Sequence, residues 1–265
     1  MIYFIGNSII KNNEITSLSE QLPIGTDNEV YELFRVQNGH PLFLDDHIQR
    51  FLHTTASANI TPPPADKLLS LIQWLIICNN ITDSNVRLSI SADGTLQGGF
   101  VPSSFPTKQM YENGVKASIL MAERNNPKAK IYHADMRQAA QQQQLSTDTY
   151  ESLLVNAQGE ITEGSRSNAY FIKDNSLFTA PDNLVLGGIM RKKIIEICNR
   201  EAINIVYHCV RLDELENYNS AFISSTPARI LPVIQIENIT FARQNPILDT
   251  LIDRMELEVQ KQTNI

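Results

Sequence analysis

Apolar residues recur along this chain with two different periods, and the period changes too often for an all-helical or an all-β fold. In residues 85–91 polar and apolar positions alternate, with Val86, Leu88 and Ile90 on one face, as in a half-buried strand. Leu68, Leu69, Ile72, Leu75 and Ile76 instead recur with helical spacing and give one apolar face. The same exchange repeats downstream. Strand patterns near 115–121, 152–156, 168–172, 203–206, 221–224 and 231–236 are interleaved with helical patterns near 138–144, 188–200 and 247–259. A mixed α and β architecture follows, and no internal repeat organises it.

Punctuation refines this reading. Residues 1–6 and 30–36 are β-rich, and Asn38-Gly39 between 30–36 and 41–44 signals a hairpin turn. Asp45 or Asp46 is expected to cap a helix running to about Ala58. Pro62-Pro63-Pro64 would stop that helix and start the next. Gly98-Gly99 is read as preceding another short strand, and the polar stretch 106–113 as an inter-domain connector. The chain is therefore expected to form a smaller N-terminal α/β domain over 1–108, a connector with its first strand over 109–122, and a larger domain over 123–265. The Gln-rich stretch 138–144 is read as a bland helix surface, and the lone Trp74 as a residue packing a helix face.

Charge and cysteines narrow the function classes. The chain of 265 residues carries 22 basic and 29 acidic side chains, a net charge of −7. That balance argues against a nucleic-acid or membrane-surface partner. The most apolar run, 68–78, is broken by Ser70 and Gln73 and is too short to cross a bilayer. The first residues lack a basic region and a cleavage motif, so no signal peptide is expected. Cys78, Cys198 and Cys209 have no metal-like spacing and are read as reduced thiols of a cytoplasmic protein.

Three segments carry residues suited to chemistry. In the first, Tyr31-Glu32-Leu33-Phe34-Arg35 is followed by Asp46-His47-Ile48-Gln49-Arg50, where His47 and Arg50 share a helix face and Arg50 can fork onto a phosphate or carboxylate. In the second, Gly159 and the small residues around Glu163 in Glu160–Asn168 let backbone approach a ligand closely. In the third, Leu186-Gly187-Gly188-Ile189-Met190-Arg191 opens a helix whose first N–H groups form an anion cradle. Ser224-Ser225-Thr226 adds hydroxyls at a strand end.

Taken in order, these blocks resemble the class IV aminotransferases, the fold-type IV pyridoxal phosphate enzymes. That family includes branched-chain and D-amino-acid aminotransferases and aminodeoxychorismate lyase. The resemblance runs from about Val30 to Ile236 through Tyr31-Glu32…His47-Ile48-Gln49-Arg50, Thr162-Glu163-Gly164-Ser165-Arg166-Ser167-Asn168, Leu186-Gly187-Gly188-Ile189-Met190-Arg191 and Ser225-Thr226…Ile230-Leu231-Pro232-Val233.

The resemblance implies a two-domain fold, a homodimer, pyridoxal 5′-phosphate as cofactor and a small amino-bearing substrate. It gives Arg50 the cofactor phosphate. Glu163 would pair with the pyridine nitrogen, so that the ring acts as an electron sink. Leu186 would pack beneath the ring, with Ser167 and Asn168 shaping the pocket. The backbone of Gly188, Ile189 and Met190 and the hydroxyl of Thr226 would bind the phosphate.

The chemistry also needs a lysine joined to the cofactor. In Arg124-Asn125-Asn126-Pro127-Lys128-Ala129-Lys130-Ile131-Tyr132-His133-Ala134-Asp135 the Pro-x-x-Lys spacing points to Lys130, with Lys128 a lesser choice. A second register, matching Ile131-Tyr132-His133-Ala134-Asp135 to an Ile-Lys-x-x-Asn pattern, puts Tyr132 at the lysine position and implies a non-catalytic relative. Tyr31, Arg35 and His133 are candidate substrate contacts.

Two family features are missing. Gly25-Thr26-Asp27-Asn28 replaces a Gly-Asp-Gly segment, and residues 92–100 lack an arginine for the substrate carboxylate. Arg35, Arg87 and Arg166 are its possible substitutes. That gap and the short length of the chain tilt the reading toward lyase chemistry, releasing 4-aminobenzoate and pyruvate, with an amino-acid aminotransferase as the alternative.

Overall fold

The computed structural model describes residues 2–19, 23–25, 28–124 and 126–263. Met1, Thr26, Asp27 and Asn125, each part of a segment read above, lie outside them. The chain divides into two compact units, residues 1–104, 129–134 and 259–265, and residues 105–128 and 135–258.

The first unit is built on a six-stranded antiparallel sheet. Its spatial order is Glu14–Ser17, Ile5–Lys11, Leu96–Val101, Ser84–Ile90, Val30–Gln37 and His40–Pro41. Helices α1 (Leu44–Ser57) and α2 (Ala65–Asn79) belong to the same unit. Val30, Phe34 and Val36 alternate along their strand and meet Phe51, Leu68, Ile72 and Leu75 in the core. Asn38 and Gly39 both have positive φ, as a tight hairpin turn requires.

The second unit holds a ten-stranded mixed sheet. Its order is Asn204–Tyr207, Ser176–Thr179, Asn168–Lys173, Ser220–Ser225, Arg229–Ile236, Val115–Met121, Glu151–Val155, Glu160–Gly164 and Val210–Arg211, with Ile239–Thr240 added beside Arg229–Ile236. Val115, Leu153, Val155, Ile161, Phe171, Ile223, Leu231 and Ile236 form its core. The remaining helices are α3 (Lys108–Asn113), α4 (Ala134–Thr147), α5 (Ile189–Arg200) and α6 (Pro246–Thr263).

Several expectations need correcting. Neither Asp45 nor Asp46 caps α1; Phe43 takes that position in a left-handed conformation, and both aspartates lie in the first turn, where the helix dipole favours them. Gly98 and Gly99 lie inside their strand, because a Cβ at Gly99 would sit 2.6 Å from the Phe4 ring. Residues 108–113 form α3, started by the Thr107 hydroxyl accepting from the Met110 N–H, rather than an irregular connector. Trp74 is 59% exposed and packs no helix face. The Gln-rich helix is not bland, since Gln144 reaches the buried Glu151.

Candidate active site

In the first unit the Val30–Gln37 strand sends alternate side chains to opposite faces. Glu32 points toward α1 and is fully buried. Its Oε1 accepts from Arg50 Nε at 2.8 Å and its Oε2 from Arg50 Nη2 at 2.6 Å. His47 Nδ1 lies 2.7 Å from the same Oε2. Burial alone would raise the Glu32 carboxyl, but the Arg50 guanidinium and the hydrogen bonds from Arg50 and His47 hold it down at about 2. Burial pushes His47 below its ordinary value. An ionised Glu32 only accepts, so the neutral imidazole carries its proton on Nδ1. This ion pair locks the Arg50 fork in one orientation.

Residues 130–132 run antiparallel to residues 28–31, at the start of the same strand. Lys130 O accepts from the Tyr31 N–H at 3.1 Å, and the Tyr132 N–H donates to Glu29 O at 3.0 Å. Val30 bridges Ile131, which joins the core. Lys130 and Tyr132 flank Ile131, so both turn to the face that carries Tyr31. Lys130 Nζ lies 4.7 Å from the Tyr31 ring centroid and Arg87 Cζ 4.4 Å from it. The Tyr132 ring meets Tyr31 edge-on at 5.9 Å. Arg87 is buried and paired with the buried Glu29. The two lysine registers therefore place either residue on one face, beside one aromatic pair.

The other substitute arginines lie elsewhere. Arg35 is held by Asp83, with Nη2 3.1 Å from Oδ1. Arg166 donates to the Tyr150 carbonyl and to Gln144 Oε1. His133 is partly buried just before α4.

In the second unit Glu163 ends the Glu160–Gly164 strand and is 2% exposed. Arg124, which the sequence placed only in the lysine segment, donates from Nε to its Oε1 at 2.8 Å, and this pair is buried. Asn168 Nδ2 donates to Leu186 O at 2.9 Å and so ties its strand to the loop before α5. Gly188 is the N-cap of α5, and no side chain caps the helix. A Cβ on Gly188 would sit 2.1 Å from Asn168 Oδ1, so glycine alone fits there. Thr226, also buried, follows the Ser220–Ser225 strand, in which Ser224 pairs with Asn168. Leu186, Ile189 and Met190 are buried at the same helix start.

Two further motif residues make hydrogen bonds to buried groups of the same unit. Ser167 Oγ donates to Glu151 at 2.8 Å. Arg191 is 2% exposed and donates to the Thr179 hydroxyl at 2.6 Å, the Ala180 carbonyl at 2.7 Å and Asp182. Glu151 itself carried no sequence signal, because a lone glutamate opening a strand resembles any edge residue.

The donor set fits an aromatic phosphate. An uncapped helix start presents backbone N–H groups, and Glu163 is a buried carboxylate of the kind that can pair with a protonated ring nitrogen. Among the described residues no group of His, Cys, Asp and Glu is arranged to hold a metal. No described helix is long and apolar enough to cross a membrane. One unit with a six-stranded antiparallel sheet and two helices, and one with a ten-stranded mixed sheet, are the architecture of the fold-type IV pyridoxal phosphate enzymes.

Comparison with known proteins agrees. The model for amino-transferase class IV matches residues 29–236, and the chain belongs to that family. It is 29% identical over 236 residues to the D-alanine aminotransferase of Bacillus licheniformis, covering 82% of each. It is 26% identical over 235 residues to the aminodeoxychorismate lyase of Bacillus subtilis, covering 82% of this chain and 80% of that one. The branched-chain aminotransferase of Thermoproteus uzoniensis, solved with norvaline, shares the fold with a TM-score of 0.84 and 21% identity over 98% of this chain and 97% of that one. The chain is a pyridoxal 5′-phosphate enzyme, an aminotransferase or a lyase.

Proposed function

We propose that this protein is an amino-acid aminotransferase, with small amino acids such as D-alanine as amino donors. The observation that carries this reading is Arg87. The tilt toward lyase chemistry rested on a missing arginine, and Arg87 is a buried arginine beside the same Tyr31 ring as Lys130. Its guanidinium is already paired with the buried Glu29, and a substrate carboxylate would share it with that residue. The D-alanine aminotransferase relative supports the donor class.

When bound, the cofactor supplies an electron sink at the substrate's α-carbon. The chain's residues do the rest. Lys130 Nζ carries the cofactor and moves the proton at the α-carbon. Glu163 keeps the ring nitrogen protonated, with Arg124 fixing the carboxylate. Arg50, the N–H groups of Ile189 and Met190, and the Thr226 hydroxyl hold the phosphate. Tyr31 orients the substrate. We place the protein in the cytoplasm and, like its family, in a homodimer.

The test is pyruvate release from D-alanine. Release that requires a 2-oxo acid acceptor supports the proposal. Formation of 4-aminobenzoate from aminodeoxychorismate, without an acceptor, overturns it in favour of the lyase. A protein that forms no visible band above about 400 nm with pyridoxal phosphate, or whose Lys130→Ala variant keeps that band, refutes the role of Lys130.

A further inference from the structure

Glu151 opens the Glu151–Val155 strand and is 2% exposed. Such a carboxylate is costly to bury unless every lone pair finds a donor. Here most of the donors come from one place. Ser165 Oγ donates to Oε1 at 2.6 Å and Ser167 Oγ to Oε2 at 2.8 Å. The Ser152 N–H reaches Oε1 at 2.9 Å and the Arg166 N–H reaches Oε2 at 3.4 Å. Gln144 Nε2 adds a donor from α4 at 3.3 Å. Three of these donors belong to consecutive residues of one turn, 165–167.

That turn links Glu163 to Asn168. It closes on itself through the Gly164 N–H donating to Ser167 O at 2.7 Å. It is also tight, because a Cβ on Gly164 would sit 2.2 Å from Ser167 Oγ and 3.1 Å from the Glu151 side chain. A second path runs from the turn to Glu163, since Arg124 donates from Nη2 to Ser165 O at 3.5 Å and from Nε to Glu163. Moving the turn therefore moves Glu163 through both its backbone and its cation.

We propose that Glu151 is a positioning residue that sets the Glu163 carboxylate and the Asn168 amide by holding the 164–167 turn between them. The inference rests on the proposed role of Glu163 at the ring nitrogen. It assigns Ser165 and Ser167 to the turn, as the hydroxyls through which Glu151 acts.

The test compares wild type with Glu151→Gln, Glu151→Asp, Ser165→Ala and Glu163→Gln, each as holoenzyme. Glutamine keeps the size of the side chain but puts an amide where one hydroxyl donated. Glu151→Gln should weaken pyridoxal phosphate binding by about ten- to a hundredfold, the usual effect of losing a group that orients a ligand's partner. It should also shift the midpoint of the visible band's pH titration in the same direction as Glu163→Gln, and lower kcat more than it changes KM. Glu151→Asp should restore part of the loss. Ser165→Ala should show a smaller shift of the same sign, and it keeps the test available if the glutamate variants fold poorly. Faster amide exchange at residues 164–167 in Glu151→Gln, with the band midpoint and cofactor affinity unchanged, would make Glu151 purely structural and overturn the proposal. If Glu163→Gln itself leaves the band unmoved, the reading of Glu163 fails, and the exchange data still report whether Glu151 holds the turn.

Discussion

Replacing Glu32 with glutamine should change the acid stability of this protein in a calculable way. The carboxyl is held at about 2 in the folded chain against an ordinary value of 4.5. A carboxylate with a lowered folded pKa binds fewer protons folded than unfolded. Its contribution is therefore complete above 4.5 and is lost as the pH falls toward 2. The difference, 4.5 − 2 = 2.5 units, corresponds to about 3 kcal/mol at neutral pH. By about pH 3 some 2 kcal/mol of it should be gone. Glu32→Gln lacks this dependence and also leaves the Arg50 guanidinium without its buried partner, so it starts about 3–5 kcal/mol lower at neutral pH. Urea unfolding followed by circular dichroism at several pH values measures both chains, with equal slopes checking that one transition is compared. The gap should narrow by about 2 kcal/mol on acidification to about pH 3. His47 adds an earlier loss below 6.5, since its folded pKa is also lowered and the unfolded imidazole takes up a proton first. Parallel profiles for the two chains would refute the account of Arg50 as a fork locked by an ionised Glu32.

Other substitutions test other parts of the site. Arg124→Met strands Glu163 as a buried, uncompensated carboxylate and should cost about 3–5 kcal/mol in urea unfolding. Gly188→Ala drives a methyl group into Asn168 and should weaken pyridoxal phosphate binding at least about tenfold in equilibrium dialysis, with the fold intact. Arg87→Met should raise KM for D-alanine and, because it also strands the buried Glu29, cost about 3–5 kcal/mol in urea unfolding. Burial pushes the Cys198 thiol up to about 12 and the Cys209 thiol to about 11, so a disulfide reagent should titrate only the exposed Cys78 in the native protein.

Much of this was legible in the sequence. Helical spacing placed α2, α5 and α6, and alternation placed the Ser84–Ile90 strand, because each buries one face. The ordered motifs drew attention to Glu163, Asn168 and the α5 start, and the close approach of Gly188 to Asn168 explains the glycine there. Glu151 and the Arg124–Glu163 pair were invisible, since each depends on residues brought together only by the sheet. Arg35, Arg87 and Arg166 could be named but not told apart, because sequence does not say that Arg35 meets Asp83, that Arg166 meets Gln144 and the Tyr150 carbonyl, or that Arg87 lies buried against Glu29 and Tyr31. Trp74 misled for the converse reason: helical position alone does not tell whether a second layer covers it.

The backbone around Lys130 has a consequence for how such an enzyme can change. Residues 130–132 are paired to residues 28–31 through alternate hydrogen bonds, so side chains two apart share a face. The amine proposed to carry the cofactor can thus migrate by two positions along the chain and still project from the same side. Exchanging Lys130 and Tyr132 relocates the nucleophile by about 7 Å along the strand without turning it inward, whereas a shift of one position buries it in the core with Ile131. A lineage or a designer could therefore lose the lysine at one position and regain it at the other, and the parity of the strand would decide which steps keep the amine exposed.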